Sequence, residues 1–132
     1  MPTYFTYDSV TSTNDVIKNL IRSHPEYLDS GCVVTAATQS SGRGTRGKSW
    51  HSTEPGGLYF SLAIQPTHVD FNKLDQLHLD IAACIKDLIA DHTGTTLRIK
   101  KPNDLMLNGK KVGGIFIGTL RGYWAFFKMY II

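Results

Sequence analysis

The dipeptide Asn108-Gly109 is the feature that most narrows the folds open to this chain. Asn-Gly is typical of the two-residue turns that join antiparallel strands, because both central residues of such a turn need a positive φ. Apolar stretches flank it at residues 105–107 and 110–119, and each predicts a strand. The second half of the chain is therefore expected to contain a tight antiparallel hairpin.

The remaining patterns place that hairpin in a larger sheet. Strands are predicted at residues 3–7, 32–38, 57–65, 96–100 and 123–132, and in the third of these the apolar face is Leu58, Phe60, Leu62 and Ile64. A first helix is predicted to start at residues 12–15 and to end near His24, and a second carries Leu74, Leu77, Ile81, Ile85 and Leu88 at helical spacing. The expected fold class is α+β, with a mixed, largely antiparallel sheet and helices on one face.

Composition excludes several broad classes of protein. The 132 residues, 42% of them hydrophobic, suit one globular domain. The net charge of +3 does not predict nucleic-acid binding, and neither a signal peptide nor an apolar run long enough to span a membrane is evident, so the cytoplasm is the expected location. Cys32 and Cys84 are predicted to be buried free thiols. The five histidines lack metal-ligand spacing, and no zinc site is expected.

The segment Gly42 to Ser49 matches the P-loop pattern G-x-x-x-x-G-K-S. A true P-loop runs directly into a helix whose N-terminus faces the phosphates. Here the sequence after Ser49 contains Pro55, Gly56 and Gly57 and then a strand pattern, so the P-loop interpretation is rejected. Glycines that permit close approach, with Arg43, Arg46 and Lys48, still indicate an anion-binding loop, although a flexible basic surface loop fits the composition equally well.

A second unusual segment comprises residues 100–104, Lys-Lys-Pro-Asn-Asp, and the strand that begins near Lys111. Gly113 and Gly114 lie within that strand, where glycine often marks the close approach of a ligand or of another backbone. The alternative is a lysine on a solvated edge beside a glycine bulge. The residues alone leave both interpretations open.

Taken in order, three segments resemble the catalytic domain of biotin–protein ligases, in the biotin/lipoate protein ligase family. They are residues 11–14 (TSTN), residues 39–50 (QSSGRGTRGKSW), and residues 100–104 with 111–115 (KKPND and KVGGI). The resemblance covers residues 7–118 and implies a fold like that of class II aminoacyl-tRNA synthetases. It further implies a ligase that uses ATP and Mg²⁺ to activate biotin as biotinyl-5′-AMP, then transfers biotin to a lysine of a biotin carboxyl carrier domain.

The resemblance also implies roles for individual residues. Lys111 and Arg43 would be catalytic. Biotin would be bound by Ser12, Thr13, Asn14, Gln39, Gly42, Arg43, Gly44, Thr45, Lys111, Gly113 and Gly114, and ATP by Arg43, Arg46, Lys48, Trp50 and Asn103. The plain alternatives are a helix N-cap for residues 12–14, a strand end for Gln39 and a core position for Trp50.

The sequence departs from the family pattern in three places. Thr45 and Lys101 stand where the family often has arginine and tryptophan, and residues 121–132 lack the Gly-Ile-Asn strand of the family. The chain therefore reads as one partial catalytic domain spanning residues 1–132, without an N-terminal DNA-binding domain or a C-terminal barrel domain, and an exposed apolar edge could support a homodimer. A weak or inactive remnant of the fold and a lipoate–protein ligase are the alternative functions. An acyltransferase is disfavoured because neither cysteine lies in a matching motif.

Overall fold

The computed structural model describes residues 1–43, 47–50, 56–65, 70–120 and 124–131. The strands are β1 (Thr3–Val10), β2 (Cys32–Gln39), β3 (Leu58–Ile64), β4 (Arg98–Lys100), β5 (Asp104–Leu107), β6 (Lys110–Leu120) and β7 (Trp124–Ile131). The helices are α1 (Thr13–Ser23), α2 (Tyr27–Ser30) and α3 (Leu74–Thr93), and a 3₁₀ turn, Phe71–Lys73, leads into α3. All predicted strands and both predicted helices are present, and the short helix α2 is an addition.

The strands form one seven-stranded sheet in the order β1-β2-β3-β7-β6-β5-β4. Only the β1–β2 pair is parallel, and the other described pairs are antiparallel. The β5–β6 turn is formed by Asn108 and Gly109, with φ of 51° and 76°. The mixed, largely antiparallel sheet is therefore confirmed, and the final strand, β7, lies in its interior.

Ser12 is the N-cap of helix α1, and its side chain accepts hydrogen bonds from the backbone N–H groups of Asn14 and Asp15 at 3.2 and 3.4 Å. Such an N-cap satisfies donors that have no partner within the helix. The cap is thus Ser12, whereas the side chain of Thr13 points into the protein. Ile17 and Ile21 form the buried stripe of the helix.

Helices α1 and α3 cover opposite faces of the sheet, which differs from the single helical layer expected from the sequence. Strand β3 shows this directly. Ala63 packs in the cluster that contains Ile17 and Ile21 of α1, whereas Leu62 and Ile64 pack in the cluster that contains Ala82 of α3. Because neighbouring residues of a strand point to opposite faces, the two helices lie on opposite sides. The sequence prediction missed this because β3 is apolar on both faces.

The two cysteines differ in their environments. Cys32 is fully buried in β2, as predicted, but Cys84 is exposed on α3, so the prediction of a buried thiol at this position is wrong. The apolar stripe of α3 is completed by its neighbours Ile81 and Ile85, which leaves Cys84 on the solvent side of the helix. Among the described helices, none is long and apolar enough to cross a membrane.

Candidate active site

Lys111 lies at the centre of the candidate site. Its Nζ atom is 2.8 Å from Oδ1 of Asp104 on the neighbouring strand. The same atom lies 4.9 Å from the ring centroid of Trp50, within the range of a cation–π interaction. The lysine is therefore held between a carboxylate and an aromatic ring that come from two distant segments of the chain.

The two glycines of β6 have different surroundings. Gly114 is opposite Asp104 in the β5–β6 ladder. A Cβ atom at Gly114 would meet Lys111 Cε at 3.5 Å, so the glycine lies directly beneath the lysine side chain. Gly113 is opposite Leu105 and faces the core under α3. The structure thus brings Gly114, but not Gly113, to the face that carries Lys111.

Both the side chain and the backbone carbonyl of Asn103 form hydrogen bonds within the β5–β6 hairpin. Its Nδ2 atom donates to the carbonyl oxygen of Ile115 at 2.8 Å, and the backbone N–H of Ile115 donates to the carbonyl oxygen of Asn103 at 3.0 Å. This reciprocal pair fixes the start of β5 against β6. Asn103 therefore orients Asp104, its neighbour in the chain.

The two ends of the glycine–arginine loop, which is the segment from Gly42 to Trp50, are hydrogen-bonded to each other. The backbone N–H of Trp50 donates to the carbonyl oxygen of Gly42 at 2.7 Å, and Arg43 and Ser49 form an isolated antiparallel bridge. Ser49 thus pairs as a strand residue, where a P-loop would begin its helix. Lys48 is exposed. The predicted site residues Gly44, Thr45 and Arg46 lie outside the described residues.

Arg43 forms an ion pair with Asp15 in the first turn of α1. Both side chains are partly exposed, at 53% and 37% of their surface. The pair links the glycine–arginine loop to the start of α1. The base of the same loop is also tied to this region, because Ser41 N–H donates to the carbonyl oxygen of Thr11 at 2.8 Å.

A buried polar cluster lies at the N-terminus of α1. The backbone N–H of Thr13 donates to Gln39 Oε1 at 2.9 Å, and the Thr13 hydroxyl is 2.9 Å from the hydroxyl of Ser61. Thr13 and Ser61 are fully buried, and Gln39 is 1% exposed. Ser61 was not identified from the sequence. Its only signal is a polar residue at an inward position of the apolar strand β3.

Asn14 completes this polar cluster. It is 4% exposed, and among the described residues its Oδ1 atom has no hydrogen-bond donor. A buried acceptor without a donor is costly, by about 1–3 kcal/mol, and indicates a ligand or water that supplies one. The cluster therefore offers a buried hydrogen-bond acceptor among side chains that are already fixed by hydrogen bonds.

A chain of contacts connects the polar cluster to Lys111. Ser41 is hydrogen-bonded to Thr11 through the backbone, and its chain neighbour Gly42 is hydrogen-bonded to Trp50 in the same way. The ring of Trp50 in turn contacts the ammonium group of Lys111. Cationic groups lie at one end of this chain and a buried acceptor at the other. Such an arrangement can bind a ligand with a polar, hydrogen-bonding head group and a distal anionic group, and can neutralise charge that develops at the anionic end.

Solved structures share this architecture. The biotin protein ligase from Aquifex aeolicus, solved with biotin and ATP, superposes over 99% of this chain and 52% of its own, with a TM-score of 0.81 and 27% identity. The enzyme from Leishmania major, solved with biotinyl-5-AMP, gives a TM-score of 0.72 at 25% identity, over 99% of this chain and 57% of its own. The fold is that of the biotin protein ligases, which is of the class II aminoacyl-tRNA synthetase type.

Sequence comparison gives the family directly. A model of the Biotin/lipoate A/B protein ligase family matches residues 6–129, and the chain belongs to this family. The bifunctional ligase/repressor BirA of Bacillus subtilis is 36% identical over 110 residues, which are 83% of this chain and 32% of that protein. Biotin--protein ligase 2 of Arabidopsis thaliana is 32% identical over 111 residues, 80% of this chain and 32% of its own. The chain thus spans about a third of the length of these relatives.

Proposed function

We propose that the protein is an ATP-dependent biotin–protein ligase. It activates biotin as biotinyl-5′-AMP and then transfers the biotinyl group to a lysine of a biotin carboxyl carrier domain. Membership of the family and the names of its similar relatives support this assignment. The chain spans about a third of the length of those relatives, so their names alone do not establish its activity. The activity is therefore inferred from the residues of the candidate site.

The position of Lys111 is the observation that carries the proposal. In the first step a carboxylate oxygen of biotin attacks the α-phosphorus of ATP, the bond to the β-phosphate oxygen breaks, and pyrophosphate leaves. Both reactants are anions, so the reaction needs a fixed positive charge where their oxygens meet. Lys111 is held by Asp104 and Trp50 and provides such a charge without first having to be ordered.

The buried polar cluster suits the other end of biotin. The ureido ring of biotin carries N–H donors and a carbonyl acceptor. The Oδ1 atom of Asn14 is a buried acceptor that lacks a donor among the described residues, and the hydroxyls of Thr13 and Ser61 can donate or accept. This chemistry supports binding of the ureido head at the start of α1, close to Ser12 and Gln39, with the valerate chain directed toward Lys111.

The glycine–arginine loop would bind the anionic groups. Arg43 and Lys48 are exposed cations at its two ends, and Gly42 is buried at its base. Arg46, with Gly44 and Thr45, belongs to the same loop and is assigned to the carboxylate and phosphates on sequence alone. Trp50 is proposed to contact the nucleotide as well as Lys111, because its ring lies at the junction of the loop and β6.

Magnesium fits this site as a companion of ATP. In the described part of the chain, no group of three or more His, Cys, Asp or Glu side chains could hold a metal ion. Mg²⁺ commonly binds through nucleotide phosphates with one or two carboxylates, and Asp104 is a carboxylate at the site. When bound, Mg²⁺ would neutralise charge on the phosphates, and Asp104 is the carboxylate of the site that would help to hold it.

In the second step the amine of the carrier lysine attacks the carbonyl carbon of the mixed anhydride. The bond to the phosphate oxygen breaks, AMP leaves, and the amine loses a proton as the amide forms. Lys111 again stabilises the negative charge that develops on the departing phosphate. Since the reaction consumes ATP and modifies carboxylase domains, we propose the cytoplasm as its location.

Two assays test the proposal separately. Biotin-dependent exchange of labelled pyrophosphate into ATP reports the first step, and transfer of labelled biotin to an unmodified carrier domain reports both. Lys111→Ala should reduce exchange at least ~100-fold, in line with the loss of a preorganised charge-stabilising group. Lys110→Ala, at the neighbouring exposed lysine, is the matched control and should retain activity. Exchange that depends on lipoate instead of biotin, or equal exchange by both variants, contradicts the proposal.

A further inference from the structure

A basic depression lies at the β4 edge of the sheet. It has a volume of about 570 Å³ and is lined by Thr96, Arg98, Ile99, Lys100, Met106, Leu107, Asn108 and Gly109. Arg98 and Lys100 are exposed, and this lining contains no carboxylate. β4 is the last strand in the sheet order, so the depression borders an edge where a further chain can approach.

The strand register places two residues of the depression, Arg98 and Met106, on the face that carries Lys111. Arg98 is opposite Met106, and Met106 is opposite Lys111. Residues directly opposite each other in an antiparallel ladder project from the same face. Arg98 therefore lies two strands from Lys111, a separation of about 10 Å at the usual strand spacing.

The cations of this edge are available to an external partner. Within the described residues, the ion pairs involve neither Arg98 nor Lys100. Asp104 is opposite Lys100 in the ladder, but its Oδ1 atom is engaged by Lys111. Lysines on an edge strand can serve only to prevent aggregation. That explanation does not account for the adjoining depression, or for the position of Arg98 on the face that carries Lys111.

We propose that Arg98 and Lys100 form a docking surface for the carrier domain, contacting acidic side chains that flank its acceptor lysine. This inference rests on the proposed function, since it names where the protein substrate binds. A protein segment fits better than a second nucleotide because the depression combines two cations with the apolar side chain of Met106 at an open sheet edge. An extended segment advances ~3.3 Å per residue, so the acidic residue would lie within about two to four positions of the acceptor lysine.

The test compares two double charge reversals. Arg98→Glu/Lys100→Glu alters the docking surface, whereas Lys73→Glu/Lys86→Glu makes the same charge change on the side of the sheet covered by α3. For both variants and the unaltered protein, pyrophosphate exchange and transfer to the unmodified carrier domain are measured at low and moderate salt. The docking variant should keep its exchange rate within about twofold and raise KM for the carrier by roughly tenfold or more, with a weaker salt dependence. A carrier with its flanking acidic residues changed to lysine should restore binding to this variant.

Several outcomes would overturn the inference. These are an unchanged KM for the carrier, an equal rise in the α3-side control, or a rise in KM for ATP, which would assign the depression to a nucleotide. The neutral variant Arg98→Gln/Lys100→Gln, with thermal unfolding of each protein, separates loss of docking from loss of fold. If the unaltered protein shows no exchange, titration with a carrier that has alanine at the acceptor position still decides between docking and its absence, independently of the proposed function.

Discussion

The side chain of Lys111 crosses above Gly114 to reach Asp104, with 2.8 Å between Lys111 Nζ and Asp104 Oδ1. Asp104 is the ladder partner of Gly114. The glycine therefore leaves the space through which the lysine reaches the carboxylate on the neighbouring strand. The arrangement fixes the ammonium group at one point on the sheet, beside the ring of Trp50.

Asp104→Asn should weaken catalysis more than it weakens the fold. The amide keeps the shape of the side chain but loses the charge that orients Lys111, and charge-assisted hydrogen bonds contribute about 1.5–3 kcal/mol. We expect kcat for pyrophosphate exchange to fall about tenfold or more, with little change in the thermal midpoint, because Lys111 is 41% exposed. Asp91→Asn, on the exposed side of α3, is the control. A loss of stability without a loss of rate would assign Asp104 a purely structural role.

Local chemistry made much of this fold predictable. The Asn108-Gly109 hairpin and the cap of α1 depend on residues close in sequence, whose backbone preferences act wherever the chain folds. The position of β7 between β3 and β6 was not predictable in this way. It depends on pairing between segments far apart in the chain, and spacing alone does not determine that pairing.

Asp15→Asn should make Arg43 more available to anions. Arg43 is paired with Asp15, and phosphate binding has to compete with that pair. An exposed ion pair is worth up to ~1 kcal/mol, so its removal should tighten binding of ATP by up to about fivefold, with a nearly unchanged thermal midpoint. Isothermal titration with a non-hydrolysable ATP analogue measures this, with Asp29→Asn as the control. Weaker binding would instead indicate that Asp15 positions Arg43 for the ligand.

The sequence suggests candidate site residues but does not predict their contacts. Thr13 and Ser61 are 48 residues apart, and nothing local to either predicts that their hydroxyls meet. Likewise, Trp50 was expected near the nucleotide, and its contact with Lys111 emerged only from the packing of the loop against β6. Asp104 was part of the recognised segment but was not singled out, because its role depends on the three-dimensional position of Lys111.

Gln39→Leu should destabilise the protein measurably. Leucine preserves much of the side-chain volume but removes the oxygen that accepts the buried N–H of Thr13. Leaving a buried donor unsatisfied costs about 1–3 kcal/mol, so the free energy of unfolding in urea should fall by that amount. Gln65→Leu, at an exposed position after β3, should change it by less than ~0.5 kcal/mol. Equal effects of the two substitutions would contradict a structural role for the Gln39 hydrogen bond.

The two thiols should react at very different rates. Cys84 is exposed, whereas Cys32 is fully buried and its burial raises the pKa of the thiol. Because the thiolate is the reactive form, both access and ionisation disfavour Cys32. A colorimetric disulfide reagent should titrate one thiol per chain in the native protein and two after denaturation. The variant Cys84→Ser should abolish the rapid reaction, and a rapid reaction that survives it would place Cys32 within reach of solvent.

Thr45→Arg should slow the release of biotinyl-5′-AMP. Thr45 lies outside the described residues, so this prediction rests on the loop sequence, in which the family often has an arginine at this position. Arginine would add one charge-assisted contact to the adenylate, worth about 1.5–3 kcal/mol, which corresponds to release that is roughly 10- to 150-fold slower. A chase experiment with preformed, labelled adenylate measures the rate of its release. Ser30→Arg adds the same charge at the last residue of α2, away from the loop, and should leave release unchanged. Equal release by the unaltered protein and by Thr45→Arg would show that Thr45 does not limit retention of the intermediate.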